Sequence, residues 1–234
     1  MSKSNQEKNV SSIVRRIDSQ IVATAPDLRS RFHRDLEAVD VQICRMFELL
    51  QASLAEATVA LTSGDVAAAR EVVRRDGAID ELDHELEASI VRILHLQSPV
   101  AGDLRYLVTV LRVAPELERS ADLAEHIAAR AARGLGASLT PALVSHVRRM
   151  GDVAERMWAV AAEAWCDRAL TAIATLEAMD DELDRLHEEL LDQLQRGALS
   201  LGPAVEMALV GRFYERLGDH ALHVTERLTY VAGA

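Results

Sequence analysis

The chain has 234 residues, 49% hydrophobic and only 3% aromatic, with 5 prolines and a formal charge of −11. That length suits one large domain or two of about 115 residues, and the acidic balance argues against a nucleic-acid partner. Its two cysteines, Cys44 and Cys166, lack metal-ligand spacing and do not make a disulfide framework.

Residues 1–28 are polar and lack the apolar centre of a secretory leader. They read as a polar tail with a short helix around Ile13–Val22. Beyond Pro26, breaks are sparse: "TSGD" (62–65), with Asp65 or Ser63 as N-cap, "SPVAGD" (98–103), "RGLGASLTP" (133–141), "WCDR" (165–168) and "RGALSLGP" (196–203). In the third break Thr140 is the expected N-cap, with Pro141 at the first helical position. Between breaks the apolar residues step by three and four, as in Ile79, Leu82, Leu86, Ile90 and Ile93. Six long helices are predicted, at about 29–62, 66–97, 100–134, 141–165, 167–196 and 203–232. The longest linker divides them into two three-helix units, 29–135 and 136–234. No apolar run of about 18 residues is present to span a bilayer, so the chain reads as soluble and cytoplasmic.

The halves repeat each other. "DGAIDELD" (76–83) aligns with "EAMDDELD" (177–184), and "LERSADLAEH" (117–126) with "YERLGDHALH" (214–223). Asp76 falls on Glu177, Asp80 on Asp181, Glu118 on Glu215, Asp122 on Asp219 and His126 on His223. A tight turn at 98–103 would make helices two and three an antiparallel hairpin. Asp80 would then face Glu118, and Asp76 would face Asp122. In the second half, Asp181 would face Glu215, and Glu177 would face Asp219.

Four like charges so placed repel unless they reach water or share a cation, and facing carboxylates suit hard divalent ions. Gly211 and Gly218 beside Glu215, and Ala114 and Ala121 beside Glu118, leave room for such an approach. The plainer reading is a set of solvated acids paired locally with Arg119 and Arg216. Asp83 and Asp184, one turn further along, are weaker candidates. His126 and His223 are possible ligands, although packing or hydrogen-bonding roles fit them better. Cys166 reads as a buried inert thiol, His187 as an exposed helix residue, and Trp158 and Trp165 as core. No phosphate-cradling glycine loop or nucleophile–base pair is present.

"SPVAGDLR" (98–105) resembles the PhoU-family element P-x-A-x-D-L-R. "LERSADLAEHIA" and "YERLGDHALHV" resemble that family's paired E-R-x-G-D-x-A-x-N-I motifs, and "RFHRDLEAV" (31–39) its opening. The similarity spans about residues 30–230. Ala121 replaces a usual glycine, His126 and His223 replace usual asparagines, and Arg105 aligns with Gly202 in the second half.

The resemblance implies an all-α fold of two tandem pseudo-symmetric three-helix bundles, built from six long antiparallel helices. It implies a non-enzymatic, cytoplasmic negative regulator of phosphate-starvation signalling and phosphate uptake. Such a protein is an adaptor between the ATPase subunit of the phosphate ABC transporter and a sensor histidine kinase. It forms homodimers and meets the membrane only through partners. The resemblance further implies divalent or iron-type metal ions, none obligatory, at Asp76, Asp80, Glu118, Asp122, Glu177, Asp181, Glu215 and Asp219. Arg105, Arg119 and Arg216 are candidate partner contacts. The competing expectation is a carboxylate-rich metal bundle with an enzymatic or storage role, although such sites usually carry Glu-x-x-His rather than Asp-x-x-x-His.

Overall fold

A computed structural model of the chain describes the backbone of residues 3–167 and 169–232 and the side chains of 30–167 and 169–231. The elements are α1 (Lys3–Ser63), α2 (Val66–Arg75), α3 (Gly77–Gln97), α4 (Ala101–Ala132), α5 (Pro141–Asp167), α6 (Ala172–Gln195), α7 (Leu201–Glu226) and α8 (Leu228–Ala232), with a 3-10 turn at Leu135–Ser138. Among the described residues there is no strand. None of their helices is long and apolar enough to cross a membrane.

Both expected N-caps form. Asp65 Oδ1 accepts from the Ala67 and Ala68 amides at 2.9 Å, and Thr140 Oγ1 accepts from the Leu143 amide at 3.3 Å. Several boundaries differ from expectation: the helix predicted from 167 begins at Ala172, that predicted over 203–232 is split at Arg227 into α7 and α8, and two more differ in the first half. The helix predicted to begin near residue 29 runs back to Lys3. Val10, Ile13, Val14, Ile17 and Ile21 already carry helical spacing there, and no glycine interrupts it. The side chains of the predicted tail lie outside the described residues. The helix predicted over 66–97 is broken at Asp76, which ends α2 and precedes α3 without making a side-chain cap bond.

Helices α1, α2–α3 and α4 pack together, as do α5, α6 and α7. The two sets are joined by α1 against α5 and by α4 against α7. The α1 stripe Ile43, Met46, Phe47, Leu50, Leu54 and Leu61 is fully buried or nearly so. Trp158 and Trp165 are core residues at 0% exposure, with the Phe47 ring 6.2 and 6.1 Å from theirs. Polar contacts also cross between the sets, Arg130 and Arg133 to Glu206 at 3.0 and 3.3 Å among them. The Thr58 and Tyr214 hydroxyls are 3.0 Å apart, Ser120 Oγ lies 2.9 Å from His220 Nδ1, and Gln51 donates to the Trp158 carbonyl at 3.2 Å. Burial lowers the His220 pKa, which favours the neutral ring.

The α1–α5 contact is close because Gly151 lies against Thr58. A methyl group at Gly151 would collide with the Thr58 side chain. That side chain is fixed by its bonds to the Leu54 carbonyl and the Tyr214 hydroxyl, so it has no free rotamer to yield to. Gly151→Ala is therefore expected to destabilise the protein by about 1–3 kcal/mol in urea denaturation, with part of the loss restored by adding Thr58→Ser. Wild-type stability in the single variant would refute the close contact.

Candidate cation site

The α3–α4 hairpin turns tightly through Ser98–Val100, with Ser98 in the left-handed region at φ 44°. Ile79, Leu86, Ile90 and Ile93 form the buried stripe of α3, and Leu107, Val110, Ala114, Leu117 and Ala121 that of α4. The acids lie beside these stripes, half-buried. One carboxylate oxygen from each of Asp80, Glu118 and Asp122 lies within 4.8 Å of the other two, close enough for one ion to touch all three. Asp80 Oδ1 is buried and makes no hydrogen bond. A buried oxygen left without a donor is costly, and a bound cation would satisfy it.

Burial, followed by the charges of Asp122 and Asp80, pushes the Asp76 carboxyl up to about 6. Burial also raises Glu118 and Asp122, with neighbouring acids adding to it, and burial raises Asp83. The hairpin thus brings together three of the expected acids of the first half, Asp80, Glu118 and Asp122, with Asp76 and Asp83 feeling their charges.

The second half is built differently. Glu177, Asp181 and Asp184 are exposed, while Asp180 is half-buried. Asp180 is pushed up to about 6, by burial first and then by Asp219, Asp184 and Asp181. Burial, Asp219 and Asp184 likewise raise Glu215, against the pull of Arg212. Asp180 therefore plays toward Asp219 the part that Asp76 plays toward Asp122. It stands three positions beyond Glu177, the residue aligned with Asp76.

The offset is already in the chain, since 38 positions separate Asp80 from Glu118 but only 34 separate Asp181 from Glu215. Residues 98–100 join α3 to α4, whereas 196–200 join α6 to α7. The buried Ile79, Leu86 and Ile93 of α3 correspond to Leu176, Leu183 and Leu190 of α6 at the same offset of 97 that relates Glu118 to Glu215, so "DELD" stands four positions further along its helix in the second half. The leucine of the repeated "DELD" is half-buried as Leu82 in α3 but fully buried as Leu183 in α6. The same four letters are thus presented at two different rotations.

A second difference is Arg212, which sequence reasoning missed. Its guanidinium pairs with Glu215, where the first half has Pro115 at the matching position. The remaining Glu215 oxygen, Oε2, is buried without a hydrogen bond. Gly218 lets α6 approach closely here, since a methyl group at that position would lie 2.9 Å from Asp180 Oδ1 and from Leu183 Cδ2.

The remaining candidates are peripheral. His126 is exposed, with Nε2 3.9 Å from Glu125 and its ring 5.5 Å from that of Phe213. His223 is exposed but near enough to Asp180 to oppose its rise. Arg119 pairs with Glu116 at 3.2 Å, and Arg216 is exposed. Arg105 is half-buried, its Nε lacking a hydrogen-bond acceptor. His187 is half-buried rather than exposed, its pKa lowered by burial and by Arg212. Cys166 is exposed rather than buried.

Comparison with known proteins places this architecture. The family described as PhoU domain matches residues 43–131 and again 147–228. The phosphate-specific transport system accessory protein PhoU homolog 1 of Mycobacterium leprae is 31% identical over 208 residues, covering 88% of this chain and 94% of the relative. The PhoU homolog of Clostridium acetobutylicum is 27% identical over 208 residues, covering 87% and 94%. The crystal structure of PhoU from Pseudomonas aeruginosa superposes with a TM-score of 0.80 at 25% identity, over 86% of this chain and 99% of that one. The phosphate transport regulatory protein PhoU of Streptococcus pneumoniae shares the fold, with a TM-score of 0.75 at 21% identity over 86% of this chain and 96% of that one. Two matched domains, curated relatives across nearly their whole length and a shared helical architecture establish that this chain belongs to the PhoU family.

Proposed function

We propose that this chain is a cytoplasmic accessory regulator of phosphate uptake that represses phosphate-starvation signalling. It acts without catalysis, as an adaptor between the ATPase subunit of a phosphate ABC transporter and a sensor histidine kinase, and it pairs with a second copy of itself. The observation that carries this reading is the family match in both halves, together with relatives named as accessory proteins of phosphate-specific transport. The exposed apolar side chains Leu96, Val100 and Leu104 at one hairpin end, and Leu201 and Val205 at the other, offer surface for such contacts.

The acidic cluster supplies the regulatory ligand site. Asp80, Glu118 and Asp122, backed by Asp76, hold a hard divalent cation through oxygen ligands alone. The second cluster already has a resident cation, the Arg212 guanidinium on Glu215. One metal per chain is therefore expected in a calorimetric titration with Mn2+. Glu118→Gln should weaken binding by more than about 10-fold, the least that even outer-shell changes cost. Arg212→Ala should raise the stoichiometry to two, and two equal sites in the wild type would refute the asymmetry.

Protons compete with that cation. The carboxyls of Asp76 and Asp180 are ordinarily at 3.8 and here at about 6. A carboxyl raised on folding contributes stability that is fully present below the unfolded value and lost as pH rises through the folded one. Metal affinity should accordingly climb as pH rises through about 6. In chelator-treated protein, Asp76→Asn should raise the thermal midpoint at pH 7.5 and leave it nearly unchanged near pH 4. A midpoint raised equally at both values would show that charge repulsion is not the cause.

The cellular role is tested by secreted alkaline phosphatase activity in a deletion strain grown in excess phosphate. Activity should rise on deletion and fall again with the wild-type gene. The Asp80→Asn, Glu118→Gln double variant should restore repression only partly while keeping its helix content. Unchanged phosphatase on deletion, in a genome without a second copy, would overturn the regulator reading.

A further inference from the structure

Cys44 lies on α1 and Cys166 in the last turn of α5, 122 positions apart in the chain. Their sulfur atoms are 3.8 Å from each other. Neither residue has a place in the acidic clusters, and the family motifs do not include them.

The backbone that carries them is well anchored. The neighbouring Phe47 and Trp165 are buried, their ring centroids 6.1 Å apart. Tyr106 packs on Trp165 at 6.3 Å and donates its hydroxyl to Asp40 at 2.7 Å. This aromatic cluster holds the end of α5 against α1, so the thiols meet through the fold rather than by chance excursion. The sulfurs, 3.8 Å apart, must close to a bond length of about 2.05 Å, a movement of less than 2 Å. Cys166 is exposed and open to a small oxidant, whereas Cys44 is half-buried behind it.

We propose that Cys44 and Cys166 are a redox modification site, a reversible disulfide joining α1 to the end of α5, with a peroxide as oxidant. The Cys166 thiolate attacks one oxygen of hydrogen peroxide, the O–O bond breaks, and the departing hydroxide takes up a proton to leave as water. Cys166 becomes a sulfenic acid. The Cys44 sulfur attacks the Cys166 sulfur, its proton leaves with the hydroxyl, the S–O bond breaks and a second water departs. The two thiols lose two electrons, and the peroxide is reduced to two waters. A dithiol reverses the step by exchange. The bond closes a loop across 122 positions, a long cross-link of the kind that most restricts the unfolded chain.

The test uses the full chain, reduced and desalted, then treated with hydrogen peroxide at pH about 8, near the thiolate range of ordinary cysteines. Intact mass should fall by two hydrogens, and proteolysis should yield a peptide linking Cys44 to Cys166. Alkylation should find no thiol, and the thermal midpoint should rise by several degrees, all reversed by dithiothreitol. Cys44→Ser and Cys166→Ser should each abolish the linked peptide and the shift. A disulfide formed only between two chains would overturn the proposal. So would accumulation of Cys166 sulfinic acid with Cys44 still alkylatable, or a linked species whose midpoint falls below that of the reduced protein.

Discussion

The register between facing helices governs this molecule. In each hairpin the connecting segment and the buried leucine stripe together decide which flank of the helix meets its neighbour. Everything at the acidic clusters follows from that. In the first half a short turn sets Asp80 between Glu118 and Asp122, close enough to leave one oxygen buried and unbonded. In the second half the buried leucine stripe of α6 leaves Glu177 and Asp181 facing solvent. Carboxylates are held together here because the hydrophobic stripes beside them fix the helices, and their mutual repulsion is the lesser force.

That repulsion is answered in two ways. The second half carries its own counterion in Arg212, placed one turn before Glu215. The first half has Pro115 there and no such device, and in both halves burial first and neighbouring acids second make carboxyls such as Asp76 and Asp180 hold protons more tightly. Proton and guanidinium are alternative answers to one electrostatic problem, and only the second half adds the guanidinium.

Much of this was legible in the residues. Helical periodicity, the breaks and the N-caps Asp65 and Thr140 gave the six long helices, because each is a local signal. The first acidic group was legible because its hairpin turn is as short as the sequence suggests. The second was misaligned because the match of "DELD" to "DELD" outweighed the burial pattern of Leu176, Leu183 and Leu190. Letters record chemistry but not rotation, and a four-position shift against the buried stripe puts the same letters on a different flank. Arg212 went unnoticed because an arginine three residues before a glutamate is ordinary on a helix surface. The proximity of Cys44 and Cys166 has no local signature at all, since it arises where α1 meets the end of α5.

The buried contact between Ser120 and His220 ties α4 to α7 across the boundary of the duplication. Two separate copies of one ancestral unit, meeting through such a contact, would have to remain identical, and any arginine gained would disarm both clusters. Fusion into one chain removes that obligation. Each half answers to its own mutations while the shared core keeps them in a fixed one-to-one ratio. A tandem gene can thus let the two ancestral clusters diverge, which no symmetric pair of identical chains can do.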